Sequence, residues 1–147
     1  MLVDSLKILL ATSYAFAVKA QHFHWNVEGQ DFPQYHKFFG KIYEEVFDNA
    51  IDQIAEYIRV LNSYTPGSLT RLKELSQIED QLKIPRAELM MAELYENNEA
   101  LLKMFKAAFH EAEQEDEQGI ADFIANRIDA HGKHSWMLRS ILKKDRA

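Results

Sequence analysis

HFHWNVEGQDFPQYHKFFGKIYEEVFDNAIDQIAEYIR, residues 22–59, decides both how the chain folds and what it can hold. Phe39, Ile42, Tyr43, Val46, Ala50, Ile54 and Ile58, with Leu61 just beyond, recur at three- and four-residue intervals. That spacing predicts one long helix from about Pro33 to Ser63. Pro33 suits its first turn, where a backbone N–H has no helical partner to lose. Before it, the helical pattern of residues 6–23 stops around Asn26–Gly29. His24 and His36 flank this break, and Asp52 and Glu56 lie four apart further along the long helix. Imidazoles and carboxylates are the donors that a borderline or hard divalent metal takes.

The same spacing limits how these residues can meet. His36 and Asp52 are separated by roughly 24 Å at about 1.5 Å per residue, while ligands lie about 2.0–2.2 Å from an ion. On a straight helix the two cannot share an ion within one chain. Asp52 and Glu56 share a face. If two copies of the helix pair antiparallel about a twofold axis, His24 and His36 of one copy meet Asp52 and Glu56 of the other. Such a site needs at least a dimer. Taken singly, each residue also has an ordinary use: a histidine at a helix break as a cap or surface group, an Asp/Glu pair as solvated surface. Trp25, beside His24, is a candidate for shielding a site from water.

Working outward, Leu6, Leu9, Leu10, Ser13, Phe16, Ala17, Ala20 and Phe23 predict a first helix, with Asp4-Ser5 as its cap. Thr65-Pro66-Gly67 ends the second helix, and residues 64–85 form a long crossover in which SLTRLKELSQ predicts a short helix. A third helix spans about Pro85–Ala112 and a fourth about Gln118–Lys143. Four helices with one long middle connection are the ferritin-like bundle pattern, here one all-α domain over residues 1–147. The usual di-iron bundle has Glu-x-x-His pairs facing inward. The residues three before the six histidines are Lys19, Gln21, Pro33, Ala107, Ile128 and His131, none acidic. The intra-bundle di-iron site therefore has no support in the sequence.

Composition narrows the classes. The chain has no cysteine, which excludes thiol catalysis, cysteine-bound zinc and disulfides. Its net charge of −6 repels phosphate backbones. No stretch reaches the ~18 apolar residues of a membrane span, so no membrane association is expected. ILLATSYAFAVKA, residues 8–20, is read as helix rather than signal segment, because Asp4 precedes it and its pattern runs on into the histidines. A cytoplasmic protein is expected.

Read as a unit, the stretch resembles the Dps family, the small ferritins named DNA-binding proteins from starved cells. The resemblance rests on His24-Trp25-Asn26, Gly29, Phe32, His36 twelve residues after His24, Phe39, Tyr43, Asp52 and Glu56. NNEALLKMF and ADFIANRIDAHGKHSWMLRSIL also look like the family's last two helices. The resemblance implies a hollow dodecameric shell with non-haem di-iron ferroxidase sites at its twofold interfaces. There Fe(II) is oxidised, preferentially with hydrogen peroxide, and stored as ferric mineral. His24 and His36 would come from one subunit, Asp52 and Glu56 from its neighbour, with Glu56 the principal carboxylate.

Two departures from the family pattern carry expectations. Many members have an Asp four residues after the second histidine; here Gly40 stands there, and one iron position is expected to be weak or water-filled. The interval from His36 to Asp52 is one residue longer than usual. An inserted residue rotates the remainder of a regular helix by about 100°, so a π-bulge is expected within Tyr43–Ile51. Without one, Asp52 would point away and Ile51 or Asp48 take its place.

The acidic run Glu111, Glu113, Glu115, Asp116 and Glu117, with Asp122, matches the place where the family's threefold pores lie. Asp122, Glu117 and Glu113 are the pore candidates; a solvated loop is the alternative. His131 and His134 are expected at an interface or the surface. The start without a Lys-rich arm and the short tail KKDRA argue against DNA binding. Rival expectations are a structural or DNA-compacting shell with a weakened site, and a monomeric bundle whose histidines are incidental.

Overall fold

α1 spans Leu2–Asn26 and buries Leu2, Leu6, Leu9, Leu10, Phe16, Ala17, Ala20 and Phe23. Asp4-Ser5 does not cap it. The helix begins earlier, and its first N–H looks to a residue far along the chain: Leu2 N–H donates to Glu115 Oε2 at 2.9 Å. Ser5 Oγ donates to Glu111 Oε1 at 2.6 Å. Carboxylates at a helix N-terminus meet both its orphan donors and its positive dipole end. The computed structural model describes residues 1–143; residues 144–147, most of the KKDRA tail considered for DNA contact, lie outside the described residues.

The second rod starts at Phe32 with Pro33 in its first turn and runs as α2 (Phe32–Val46), a π-turn (Phe47–Ile51) and α3 (Asp52–Val60). The expected bulge is therefore present, and the core stripe shows why. Val46, Ala50, Ile54 and Ile58 are all buried. Four-residue steps each advance about 40° beyond a full turn on a regular helix, so three of them would carry Ile58 about 120° off the stripe. The π-turn takes up that drift. Wider turns loosen carbonyls, and two amides serve the region: Asn49 Nδ2 donates to Glu45 O at 3.1 Å, Gln53 Nε2 to Asp48 O at 3.1 Å.

The rod ends at Val60, before Thr65-Pro66-Gly67. Asn62 takes the left-handed conformation, φ 62°, and Ser63 N–H returns to Ile58 O at 3.2 Å. The crossover carries one short helix, α4 (Leu69–Leu75), capped by Ser68 Oγ and packed on α1. α5 (Ala87–Gln114) ends as the rod does, with Asp116 at φ 58° and Glu117 N–H on Ala112 O at 2.8 Å. These are Schellman closures in which Asn and Asp replace the usual glycine. α6 covers Gln118–Leu142. α1, the α2–α3 rod, α5 and α6 enclose a core that includes Phe16, Phe23, Phe39 and Phe105, all fully buried. Among the described residues no helix is long and apolar enough to cross a membrane.

The interior also holds a polar network that departs from the sequence expectation. His131 and His134 are not surface residues: they are 0% and 7% exposed. Arg127 makes a two-pronged pair with Glu45 at 2.6 and 2.9 Å. It also donates to His131 Nε2 at 2.9 Å. A guanidinium only donates, so His131 carries its proton on Nδ1 and donates to Asn98 Oδ1 at 2.7 Å. Asn98 donates to His131 O and Ser135 Oγ, Ser135 to Glu99, and His134 Nε2 to Glu45 Oε1 at 2.8 Å. The network joins α2, α5 and α6 inside the bundle, where a di-iron bundle would keep metal ligands. A fixed cation occupies that interior instead.

Burial, with the Arg127 and His134 charges, holds His131 well below its usual range, against the opposing pull of Glu45. Partial burial alone would raise the Glu45 carboxyl; hydrogen bonds from His134 and Arg127 outweigh it and hold the group well below the usual carboxylate range. Both shifts act in one direction. The unfolded chain protonates His131 below about pH 6.5 while the folded chain does not, so stability falls on acidification from there. Glu45 adds a second loss below about pH 4.3. Denaturant unfolding at fixed protein concentration is expected to show the first decline, at most about 1.4 kcal/mol per pH unit from this one group. His131→Gln flattens it between pH 5 and 6.5; an unchanged slope would contradict the neutral buried ring. Arg127→Ala is expected to cost about 3–5 kcal/mol by removing the guanidinium that pairs with Glu45, which then keeps only its hydrogen bond with His134.

Candidate metal centre

His24 lies in the last turn of α1 and His36 in the first turns of α2. The loop between them turns at Gly29, whose φ of +118° a side chain would strain. Val27, 2% exposed, anchors the loop in the core. The two imidazoles lie stacked, ring centres 3.9 Å apart and planes 12° from parallel. Their hydrogen bonds are reciprocal: His24 Nδ1–H donates to His36 O at 2.5 Å, and His36 Nδ1–H donates to His24 O at 2.6 Å. A carbonyl only accepts, so both rings carry a proton on Nδ1. In the neutral rings each Nε2 keeps its lone pair, the form in which histidine binds a metal, with the outer hydrogen bond setting ring orientation.

Aromatic rings extend the pair. Phe32 stacks on His36 at 5.1 Å, Tyr43 lies 5.5 Å from His24, and Phe47 meets Tyr43 edge-on at 6.1 Å. This row runs from the histidines to the π-turn. Trp25 is 64% exposed within the chain; the rings that flank the imidazoles within it are Phe32 and Tyr43. Gly40 backs directly onto the His24 ring. That role was missed in the sequence, although a signal was present: a mid-helix glycine costs about 0.5–1 kcal/mol relative to alanine and asks for a reason.

Asp52 and Glu56 stand together on α3, past the π-turn, and both are exposed. The structure does not bring them to His24 and His36 within the chain, as helix rise requires. Among the described residues, no group of three or more His, Cys, Asp or Glu side chains could hold a metal. A single chain therefore presents an oriented pair of imidazoles and, apart from it, two exposed carboxylates.

The acidic run divides. Glu111 and Glu115 are engaged at the start of α1, which removes them from the pore expectation. Glu113 and Asp122 line one surface hollow with Phe109, Gln118, Ala121 and Ala125. Glu117 sits at the N-cap of α6.

The ferritin-like domain family matches residues 3–147 of the chain. A low-temperature-induced protein of Nostoc sp. is 33% identical over 136 residues, covering 91% of this chain and 75% of the relative. A DNA protection during starvation protein of Helicobacter pylori is 30% identical over 140 residues, covering 95% and 96%. The crystal structure of Dps from Staphylococcus aureus superposes with a TM-score of 0.93 at 27% identity, covering 98% of this chain and 96% of that one. The Vibrio cholerae Dps structure, described as a member of a broad superfamily of ferritin-like diiron-carboxylate proteins, gives 0.92 at 26% identity, covering 97% and 89%. The all-helical bundle, the paired histidines and these matches together place the chain in the Dps branch of the ferritin-like family.

Proposed function

We propose that the protein oxidises and stores iron, with a ferroxidase site completed only when two copies pair about a twofold axis. Fe(II) is the substrate. His24 and His36 of one protomer offer it two neutral imidazole nitrogens; Asp52 and Glu56 of the other offer two carboxylates that balance its 2+ charge. The observation that carries this reading is the reciprocal hydrogen bonding of His24 and His36, which selects in both neutral rings the tautomer whose Nε2 is the acceptor. The π-turn supports the carboxylate half, since it offsets the rotation that the additional residue would impose on Asp52 and Glu56.

Hydrogen peroxide serves as oxidant. Each peroxide takes one electron from each of two Fe(II) ions and, with two protons, leaves as two waters; the ferric product is laid down as mineral within a dodecameric shell. Glu113, Glu117 and Asp122 draw cations inward by negative potential. Gly40, which supplies no ligand, favours a second reading: a structural or DNA-compacting shell with a weakened site. Gel retardation at low salt set against iron-oxidation kinetics separates the two.

Losing a residue that merely supports a ligand costs about 10–100-fold. His36→Ala and Glu56→Ala are each expected to slow Fe(II) oxidation by at least about tenfold, with the mass of the assembly unchanged. Stopped-flow absorbance of the ferric product measures it. Both variants running at the parent rate would remove the assignment.

A further inference from the structure

We propose that Gly40 is a positioning residue for the metal site: its missing side chain is the seat that lets the His24 ring take its place in the imidazole pair. The inference rests on the proposed His24–His36 half-site. A Cβ added at Gly40 would lie 2.8 Å from His24 Cε1 and 2.9 Å from His24 Nδ1, with Nε2 at 3.6 Å. The first two are closer than real Cβ contacts come. They form the ring edge whose Nδ1–H is bound to His36 O.

The ring is held by its neighbours. It is a rigid plane with His36 stacked on it at 3.9 Å and Tyr43 at 5.5 Å. Moving it off Gly40 breaks the hydrogen bond to His36 O and turns Nε2 away from its partner. The other four glycines have nothing within 4 Å of an added Cβ. Gly40 sits inside α2 without a positive φ, so its backbone does not need glycine, and alanine is the better helix former. The contact with His24 gives its bareness a use.

This changes what the glycine means. An aspartate at residue 40, as in many members of the family, does not fit beside His24 in this orientation. Gly40 exchanges a carboxylate donor for a well-set imidazole. The site then recognises a first-row divalent ion through two nitrogen and two carboxylate donors, a set that suits a borderline cation.

Co(II) added to the assembled full-length protein tests this, because its visible d–d bands report donor type and geometry independently of iron oxidation. Gly40→Ala is expected to weaken Co(II) binding at least tenfold and to alter the bands. His24→Ala should do the same, and the double variant Gly40→Ala/His24→Ala should bind no more weakly than His24→Ala alone, since the glycine acts through the ring. Should Gly40→Ala fail to assemble, the double variant must restore assembly by making room for the added Cβ. Parent-like Co(II) binding by Gly40→Ala, additive losses in the double variant, or failure of the double variant to rescue assembly each overturn the proposal. Co(II) binding insensitive to His24→Ala and His36→Ala would overturn the half-site itself, and Gly40's role with it.

Discussion

A helix advances by a fixed rise, about 1.5 Å per residue, and this rigidity governs everything the chain can do with its metal-type side chains. His36 and Asp52 sit at opposite ends of one rod. Packing Phe39, Ile42, Val46, Ala50, Ile54 and Ile58 into the bundle core keeps that rod extended. The interior of the bundle, the alternative place for ligands, is filled by the Arg127 guanidinium held between Glu45 and His131. What remains is a pair of oriented imidazoles near one end and a pair of exposed carboxylates toward the other. In the proposed reading, these two pairs become one site only by bringing in a second chain.

The two departures from the family pattern have structural answers of different kinds. The additional residue before Asp52 is absorbed in the π-turn Phe47–Ile51, whose neighbouring carbonyls Glu45 O and Asp48 O take hydrogen bonds from Asn49 and Gln53. Gly40 is matched to the His24 ring that lies on it. Both lie on the same rod, one beside the histidines and one before the carboxylates. In the proposed site, the first bears on the direction of the carboxylates, and the second gives up a carboxylate and sets the direction of an imidazole.

Much of this could be read from spacing. The long helices and the crossover with its short helix are legible in where apolar residues recur, because local periodicity reports which face a helix buries; the bulge was legible only against the family's spacing from the second histidine to the Asp. The misplaced features depend on partners far along the chain. His131 and His134 are ordinary-looking polar residues on α6 until Glu45 and Asn98, from α2 and α5, meet them in the interior. Glu111 and Glu115 looked like part of an acidic patch, but they serve the N-terminus of a helix more than a hundred residues earlier. Gly40 showed its peculiarity in sequence as a glycine within a helix, but its reason is a ring from another helix. Asp52 and Glu56 remain half of a proposal, since their partners belong to a second copy.

The central claim is that the site is divided between two chains, and mixed shells test it most directly. His36→Ala chains keep both carboxylates, and Glu56→Ala chains keep both histidines. Where the two kinds pair about a twofold axis, one of the two sites regains all four ligands. With random pairing, roughly a quarter of the sites are complete. Shells co-assembled from equal amounts of the two variants should therefore oxidise Fe(II) at roughly a quarter of the parent rate, well above shells of either variant alone. Co-assembled shells no faster than either variant alone would contradict a site shared between chains.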